Sequence, residues 1–156
     1  VELSALGRWQ VTGKTAAELE IGYETASTGD EGEDSGMTFR GSLNYAPTAR
    51  WHWRTSLSHE LDVATETEEE RVPVTEADVS LTYQVSPKFS VGVSPGVSSD
   101  GGDDRVTEYT VDVNAAYRFR LFSLSLRAGV TDRRSDRGDE DEYTASEAAV
   151  ILSMRF

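Results

Sequence analysis

The feature that most constrains this chain is a period of two. Apolar and polar residues alternate almost without lapse from the first residue to the last. In the opening stretch Val1, Leu3, Ala5, Trp9 and Val11 take the odd positions and mostly polar residues the even ones. Leu19, Ile21 and Tyr23 then alternate with Glu18, Glu20 and Glu24, and Trp51, Trp53, Leu57 and Leu61 with His52, Arg54, Ser58, Glu60 and Asp62. Farther along come Val79–Val85, Phe89–Val97, Tyr109–Tyr117, Phe122–Val130 and a last run that ends on Phe156. Successive strand side chains point to opposite faces, so each run reads as a strand with one apolar face. Nine strands are expected, with no helix, in a single domain over residues 1–156. Pro95 lacks a ladder donor and predicts a bulge near a strand end.

The connections alternate in kind. Short turns fall at 12–14, 46–50, 86–88 and 119–121, and long polar loops at 28–36, 64–76, 98–104 and 132–142. Of the 28 acidic residues, eighteen lie in those loops; the other ten fall on the polar strand face. Both lysines, Lys14 and Lys88, sit in short turns.

Charge and composition close off several classes. A net charge of −13 opposes nucleic acid and anionic membrane surfaces as partners. The absence of cysteine removes disulfides and thiolate metal sites and suits an oxidising compartment. No apolar run approaches the roughly 20 residues of a transmembrane helix. The first residue is Val rather than Met, which predicts a mature or truncated chain.

Alternation alone does not say which way the apolar face points. A soluble lipocalin-like barrel turns it inward, and a membrane barrel turns it toward lipid. The rings decide. Trp9, Tyr45, Trp51, Trp53, Tyr83, Phe89, Tyr117, Phe119, Phe122 and Phe156 lie near a short turn or the C-terminus, while Tyr23, Phe39, Tyr109 and Tyr143 lie toward the long loops. Mid-strand positions hold Val, Leu, Ala and Gly. A soluble core would place its large rings where burial is deepest, whereas two membrane–water interfaces collect them in girdles at both ends. The expected fold is therefore all-β, a transmembrane antiparallel β-barrel in the bacterial outer membrane, closed because lipid leaves no backbone group solvated. Its partners would be outer-membrane lipids and lipopolysaccharide, with short turns at the periplasmic rim and long loops outside.

Nine is an odd number. The first and last strands run in the same direction, while bacterial single-chain barrels have even, antiparallel counts. The chain is expected to be the C-terminal part of a larger barrel, with the other strands elsewhere in the protein or on a partner chain; a misjoined strand pair or a parallel seam are the alternatives.

The stretches GRWQVTGKTAAELEIGYE, SGMTFRGSLNYAPTARWHWRTSLSHELDVATET, LTYQVSPKFSVGVS and YRFRLFSLSLRAGVTDRRSDRGDEDEYTASEAAVILSMRF carry a resemblance. Pro47-Thr48, Pro87-Lys88, the Asp-rich loop before Tyr143-Thr144 and the terminal Phe156 are similar to the hairpins and closing strand of the β-barrel porin family found beside bacterial exopolysaccharide loci, including the exosortase-associated outer-membrane proteins. The likeness covers nearly the whole chain and corresponds to the C-terminal half of a family member. It implies passage or export of polysaccharide, with no catalytic residues to carry over.

The polar face supplies the candidate functional residues. Glu18, Glu20, Arg40, His52, Arg54, Glu60, Asp62, Asp78, Glu108, Asp112, Arg118, Arg127 and Glu147 would line the lumen. Acids outnumber arginines there, so the interior should favour cations and neutral or cationic glycans; in a narrow barrel the same charges would merely pair and plug it, giving an anchor for a surface or secretion assembly. His52 with Ser58, Glu60 and Asp62 invites a hydrolase reading, but alternate residues of one strand lie about 7 Å apart and assemble no triad by themselves, so no enzyme activity is expected. His59 falls on the apolar face and reads as a rim residue. The RGD at 137–139 is a chance tripeptide in a charged loop, and DEGED, DGGDD and DEDE lack the spacing of a calcium loop. No cofactor or metal is expected.

Overall fold

The computed structural model describes residues 2–28, 32–63, 71–101, 105–136 and 142–154. They form nine strands: β1 (Glu2–Thr12), β2 (Thr15–Thr28), β3 (Gly32–Thr48), β4 (Trp51–Val63), β5 (Arg71–Ser86), β6 (Phe89–Asp100), β7 (Val106–Arg118), β8 (Phe122–Ser135) and β9 (Tyr143–Met154). Each strand pairs antiparallel with its chain neighbour, in one sheet ordered β1 to β9. The strand count, the order and the absence of helix follow the alternation. No helix among the described residues is long and apolar enough to cross a membrane.

Register carries the alternation across the sheet. Arg8 stands opposite Glu18, Glu18 opposite Ser42, Ser56 opposite Asp78, and Asp78 opposite Gly96. Because each pairing joins residues of the same face, the polar positions of all nine strands share one side and the apolar positions the other.

The two-residue turns repeat one design. Thr12 Oγ1 accepts from the Lys14 N–H at 3.1 Å, Thr48 Oγ1 from that of Arg50 at 3.2 Å, and Ser86 Oγ from that of Lys88 at 3.3 Å. A hydroxyl capping the N–H two residues on is the local bond that favours Ser and Thr in turns. The register shifts just before each of these turns, at Gln10/Thr12, Tyr45/Thr48 and Gln84/Ser86. Neighbouring turns are tied laterally: Ala46 N donates to the Lys14 carbonyl, Gln84 N to that of Arg50 and Arg118 N to that of Lys88, at 2.7–2.8 Å.

Two expectations are corrected. Strands run past the last apolar residue: β3 begins at Gly32, β5 at Arg71, and β8 continues to Ser135, so Glu76, Asp100 and Asp132 lie on strands rather than in loops. The backbone ladder needs no apolar face to continue. Pro95 makes no bulge. It lies inside β6 and pairs with Val111 on β7; toward β5 the register is the same on both sides, Asp78↔Gly96 and Leu81↔Val93, and only the two pairs between them lapse. One missing donor removes ladder bonds without inserting a residue, and Ser94 Oγ donates to Ser80 Oγ at 3.2 Å across the gap. The sheet of the described residues is open, with β1 and β9 as its edges. These two strands point the same way, so they offer each other no antiparallel partner.

Neither face is covered. The chain exposes 11593 Å², against about 7,700 Å² for a compact folded monomer of its mass. Among the described residues Val72 is the one buried hydrophobic, and no side chain is fully buried. Val111 is 47% and Leu152 55% exposed. A soluble domain of this length would bury a sizeable core; the described residues form one sheet, with no second layer among them.

Candidate functional site: the two faces of the sheet

The polar face brings the candidate charged residues together in rows that cross the strands. Glu18, Asp78 and their partners form one row; Glu20, Arg40, Ser58, Glu76, Ser98, Glu108 and Arg133 form the next toward the long loops. Toward the short turns, Asn44, Arg54, Ser80, Ser94, Asp112, Gly129 and Glu147 share one row, carried across the Pro95 lapse by the Ser94–Ser80 bond.

Ion pairs follow from this register. Arg8 Nε meets Glu18 Oε2 at 2.8 Å directly across the strands. Arg40, opposite both Glu20 and Ser58, reaches Glu60. Arg127 makes a two-pronged contact with Asp112, Nε to Oδ1 at 3.0 Å and Nη2 to Oδ2 at 3.1 Å, while Nη2 lies 3.9 Å from Glu147. Arg54 Nε donates to Asn44 Oδ1 at 3.0 Å. Arg118, opposite Ser123, lies at the short-turn end. Asp62 pairs with Val72 through the backbone, and its side chain lies outside the described residues.

His52 stands opposite Thr82 and, with Lys14, Asn44 and Arg54, lines a depression of about 480 Å³ toward the short turns. Among the described residues no hydrogen bond joins His52 to a carboxylate or a serine, and Glu60 is engaged by Arg40. The same residues contain no group of three or more His, Asp or Glu that could hold a metal ion. The RGD tripeptide, Asp30 and Glu31 of DEGED, and most of DGGDD and DEDE lie outside the described residues, as does Phe156.

Four glycines on the polar face escaped the sequence reading. A Cβ on Gly22 would come 2.6 Å from Thr38 Oγ1, on Gly92 2.3 Å from Asn114 Oδ1, on Gly96 2.7 Å from Asp78 Oδ1, and on Gly129 2.6 Å from Asp112 Oδ1. Polar side chains of neighbouring strands lie flat over these positions, so a side chain there would have to push them aside. Their signal in the sequence is glycine at a polar position of the alternation. Arg133, whose polar surroundings in the sequence read as loop, stands opposite Glu108 on β7, and its guanidinium lies 6.0 Å from the Tyr143 ring.

On the apolar face the rings meet at the short-turn end. Tyr45 and Trp53 centroids are 6.4 Å apart, Trp51 and Tyr83 4.7 Å, Phe89 and Tyr117 6.4 Å, Tyr117 and Phe119 4.5 Å, and Phe119 and Phe122 stack at 4.1 Å. Trp9, opposite Ala17, lies on the same face, half exposed. Toward the long loops His59 stacks on Phe39 with centroids 5.5 Å apart, and its Nδ1 lies 2.8 Å from Thr75 Oγ1. Beyond Val130 this face carries the Asp132–Arg134 pair, with the Arg134 guanidinium 5.9 Å from the Tyr109 ring. No protein-family model matches the chain and no curated protein matches it, so the porin resemblance rests on the residues quoted for it.

Proposed function

We propose that this chain is part of a bacterial outer-membrane β-barrel that serves as a porin-like channel, its apolar face toward lipid and its polar face toward an acidic lumen. The observation that carries the reading is the uncovered apolar face, with an aliphatic middle and rings at its two ends. From Phe122 to Val130 the strand advances about 26 Å at about 3.3 Å per residue, close to the roughly 25 Å apolar band of outer-membrane barrels. Ionic residues resume on that face only beyond it, at Asp132 and Arg134. Water would penalise such a surface, and hydrocarbon would not.

In lipid the edges of β1 and β9 must be paired. Since the two run parallel, antiparallel closure takes an odd number of further strands, supplied by the rest of this protein or by a partner chain. The lumen would then be lined by Glu20, Asp78, Glu108, Asp112 and Glu147 against Arg40, Arg54, Arg118 and Arg127. Fixed carboxylates concentrate cations and repel anions, so neutral and cationic solutes would pass, polysaccharide among them as the family resemblance implies. Lipopolysaccharide would surround the long-loop end.

The test is conductance of the complete barrel in planar bilayers. Discrete cation-selective steps are expected, with the cation preference falling severalfold in D112N/E147Q. A barrel that inserts but passes neither ions nor glycans removes the channel role and favours a plugged anchor, for which the charge pairing around Arg127 is the supporting observation.

A further inference from the structure

The net charge of −13 averages over a sharp asymmetry. Each short turn lies inside a run without a single Asp or Glu: 3–17, 35–59, 79–99 and 113–131, with a fifth such run at 148–156. The turns themselves are basic. Lys14, Arg50 and Lys88 occupy the same place in Thr12-Gly13-Lys14-Thr15, Thr48-Ala49-Arg50-Trp51 and Ser86-Pro87-Lys88-Phe89, fixed each time by the hydroxyl cap and the lateral carbonyl bond. The fourth turn adds Arg118 and Arg120.

These five cations differ from four of the arginines elsewhere on the sheet. Arg8, Arg40, Arg127 and Arg134 each have a carboxylate partner. Among the described residues none of the five forms an ion pair; Lys14 Nζ donates only to the Pro47 carbonyl, at 2.7 Å, and all five are exposed. Adjacent hairpin turns are two strands apart, about 9.5 Å, so successive cations meet separate anions rather than converging on one. Directly beside them runs the belt of half-exposed rings, with Trp51 next to Arg50 and Phe119 between Arg118 and Arg120.

We propose that the short-turn edge is a docking surface for anionic phospholipid headgroups, recruited by Lys14, Arg50, Lys88, Arg118 and Arg120 and held at interfacial depth by the adjoining rings. This rests on the membrane reading above. The ligand is an array of phosphates at one plane, because the cations form a line along the sheet edge and no Asp or Glu lies in the runs that carry them. Aromatic rings favour the headgroup level, which places the array where phosphates are. The acidic long-loop end repels the same headgroups, so the preference belongs to one end of the sheet.

All three tryptophans, Trp9, Trp51 and Trp53, lie at this edge, so their fluorescence reports on it selectively. The complete barrel is reconstituted into phosphatidylcholine bilayers that contain a minor fraction of either dibrominated phosphatidylglycerol or dibrominated phosphatidylcholine. Stronger quenching by the glycerol lipid is expected, from a severalfold local enrichment that shrinks as salt rises. Single variants R50Q and K88Q lower the enrichment by up to about fivefold each, and K14Q/R50Q/K88Q/R120Q abolishes it. Equal quenching by the two lipids, or an enrichment unchanged in a folded R50Q or K88Q, overturns the proposal while leaving the membrane reading in place. Quenching by neither lipid overturns both.

Discussion

The polar and apolar faces come from the same residues taken alternately, yet they are built on different rules. On the polar face side chains lean sideways. Asp112 and Asp78 lie over glycines, and arginines reach across strands to carboxylates. On the apolar face side chains stand outward, and Val150, 71% exposed, has no layer above it. Gly7 is a local departure, since the Trp9 indole folds over it, but at Gly41 a would-be Cβ meets Leu19 Cδ1 only at ordinary contact distance, 3.7 Å. One face satisfies itself laterally. The other is finished only by something outside the sheet. On the proposed reading the two sides meet different surroundings: an apolar medium on one, and on the other an aqueous space that polar groups already tolerate.

A charge placed on each face in turn gives the largest contrast. Leu126 and Ser125 are sequence neighbours on β8, the first outward on the apolar face and half exposed, the second on the polar face. Leu126→Arg should lower the folding free energy in lipid vesicles by about 2–4 kcal/mol. Ser125→Arg should change it by no more than about 0.5 kcal/mol. If both faces met water, the two substitutions would be about equally mild, since both positions are accessible. Urea titrations of each variant in phospholipid vesicles make the comparison, and equal, small effects would break it.

A second pair exploits the glycines. Gly129→Ala would push a methyl group into Asp112 Oδ1, forcing apart the two-pronged Asp112–Arg127 pair. The cost expected is about 1–3 kcal/mol, the range for overpacking. Gly41→Ala adds a methyl group at ordinary contact distance, 3.7 Å from Leu19 Cδ1, and removing unfolded-chain freedom there should be neutral or should stabilise by about 0.4–1 kcal/mol. Opposite signs on the two faces would sharpen the comparison; equal costs would show that the apolar face is as crowded as the polar one. The same vesicle titrations measure both.

How much of this was legible in the sequence depends on which interaction sets each feature. Strand identity and face needed only the alternation within one strand, so Leu124, Val111 and Leu152 fell on the apolar side and Glu20 and Asp112 on the polar side, as read. Strand ends were not legible. Asp132, Arg134 and Glu76 look like loop residues by polarity, but hydrogen-bonding partners on the adjacent strand keep them in the ladder. The roles of Gly22, Gly92, Gly96 and Gly129 depend on which residue of the next strand stands opposite, a register that no single strand contains. The ion pairs share that dependence: Arg127 with Asp112 follows from the β7–β8 register, which places Asp112 opposite Gly129, two residues along from Arg127.

Pro95 offers the smallest and most local test, because it sits where the two faces share one defect. Its side chain belongs to the apolar face, opposite Val111, while the bond across the resulting gap, Ser94 to Ser80, belongs to the polar face. Proline gives no N–H to the Val79 carbonyl that stands across from it on β5, and the ladder lapses for those two pairs only. Pro95→Val supplies the donor without changing the register, which is already the same on either side of the lapse. The gain expected is about 0.5–1.5 kcal/mol. The surroundings then decide where it falls in that range. In water the carbonyl is solvated before the substitution and the gain stays near the lower end; in hydrocarbon it has no other donor, and the gain moves to the upper end or beyond. Comparing Pro95→Val with Pro95→Val in an S80A background separates the ladder bond from the hydroxyl bridge. A substitution that destabilises in both backgrounds would mean that β6 needs the proline for its conformation.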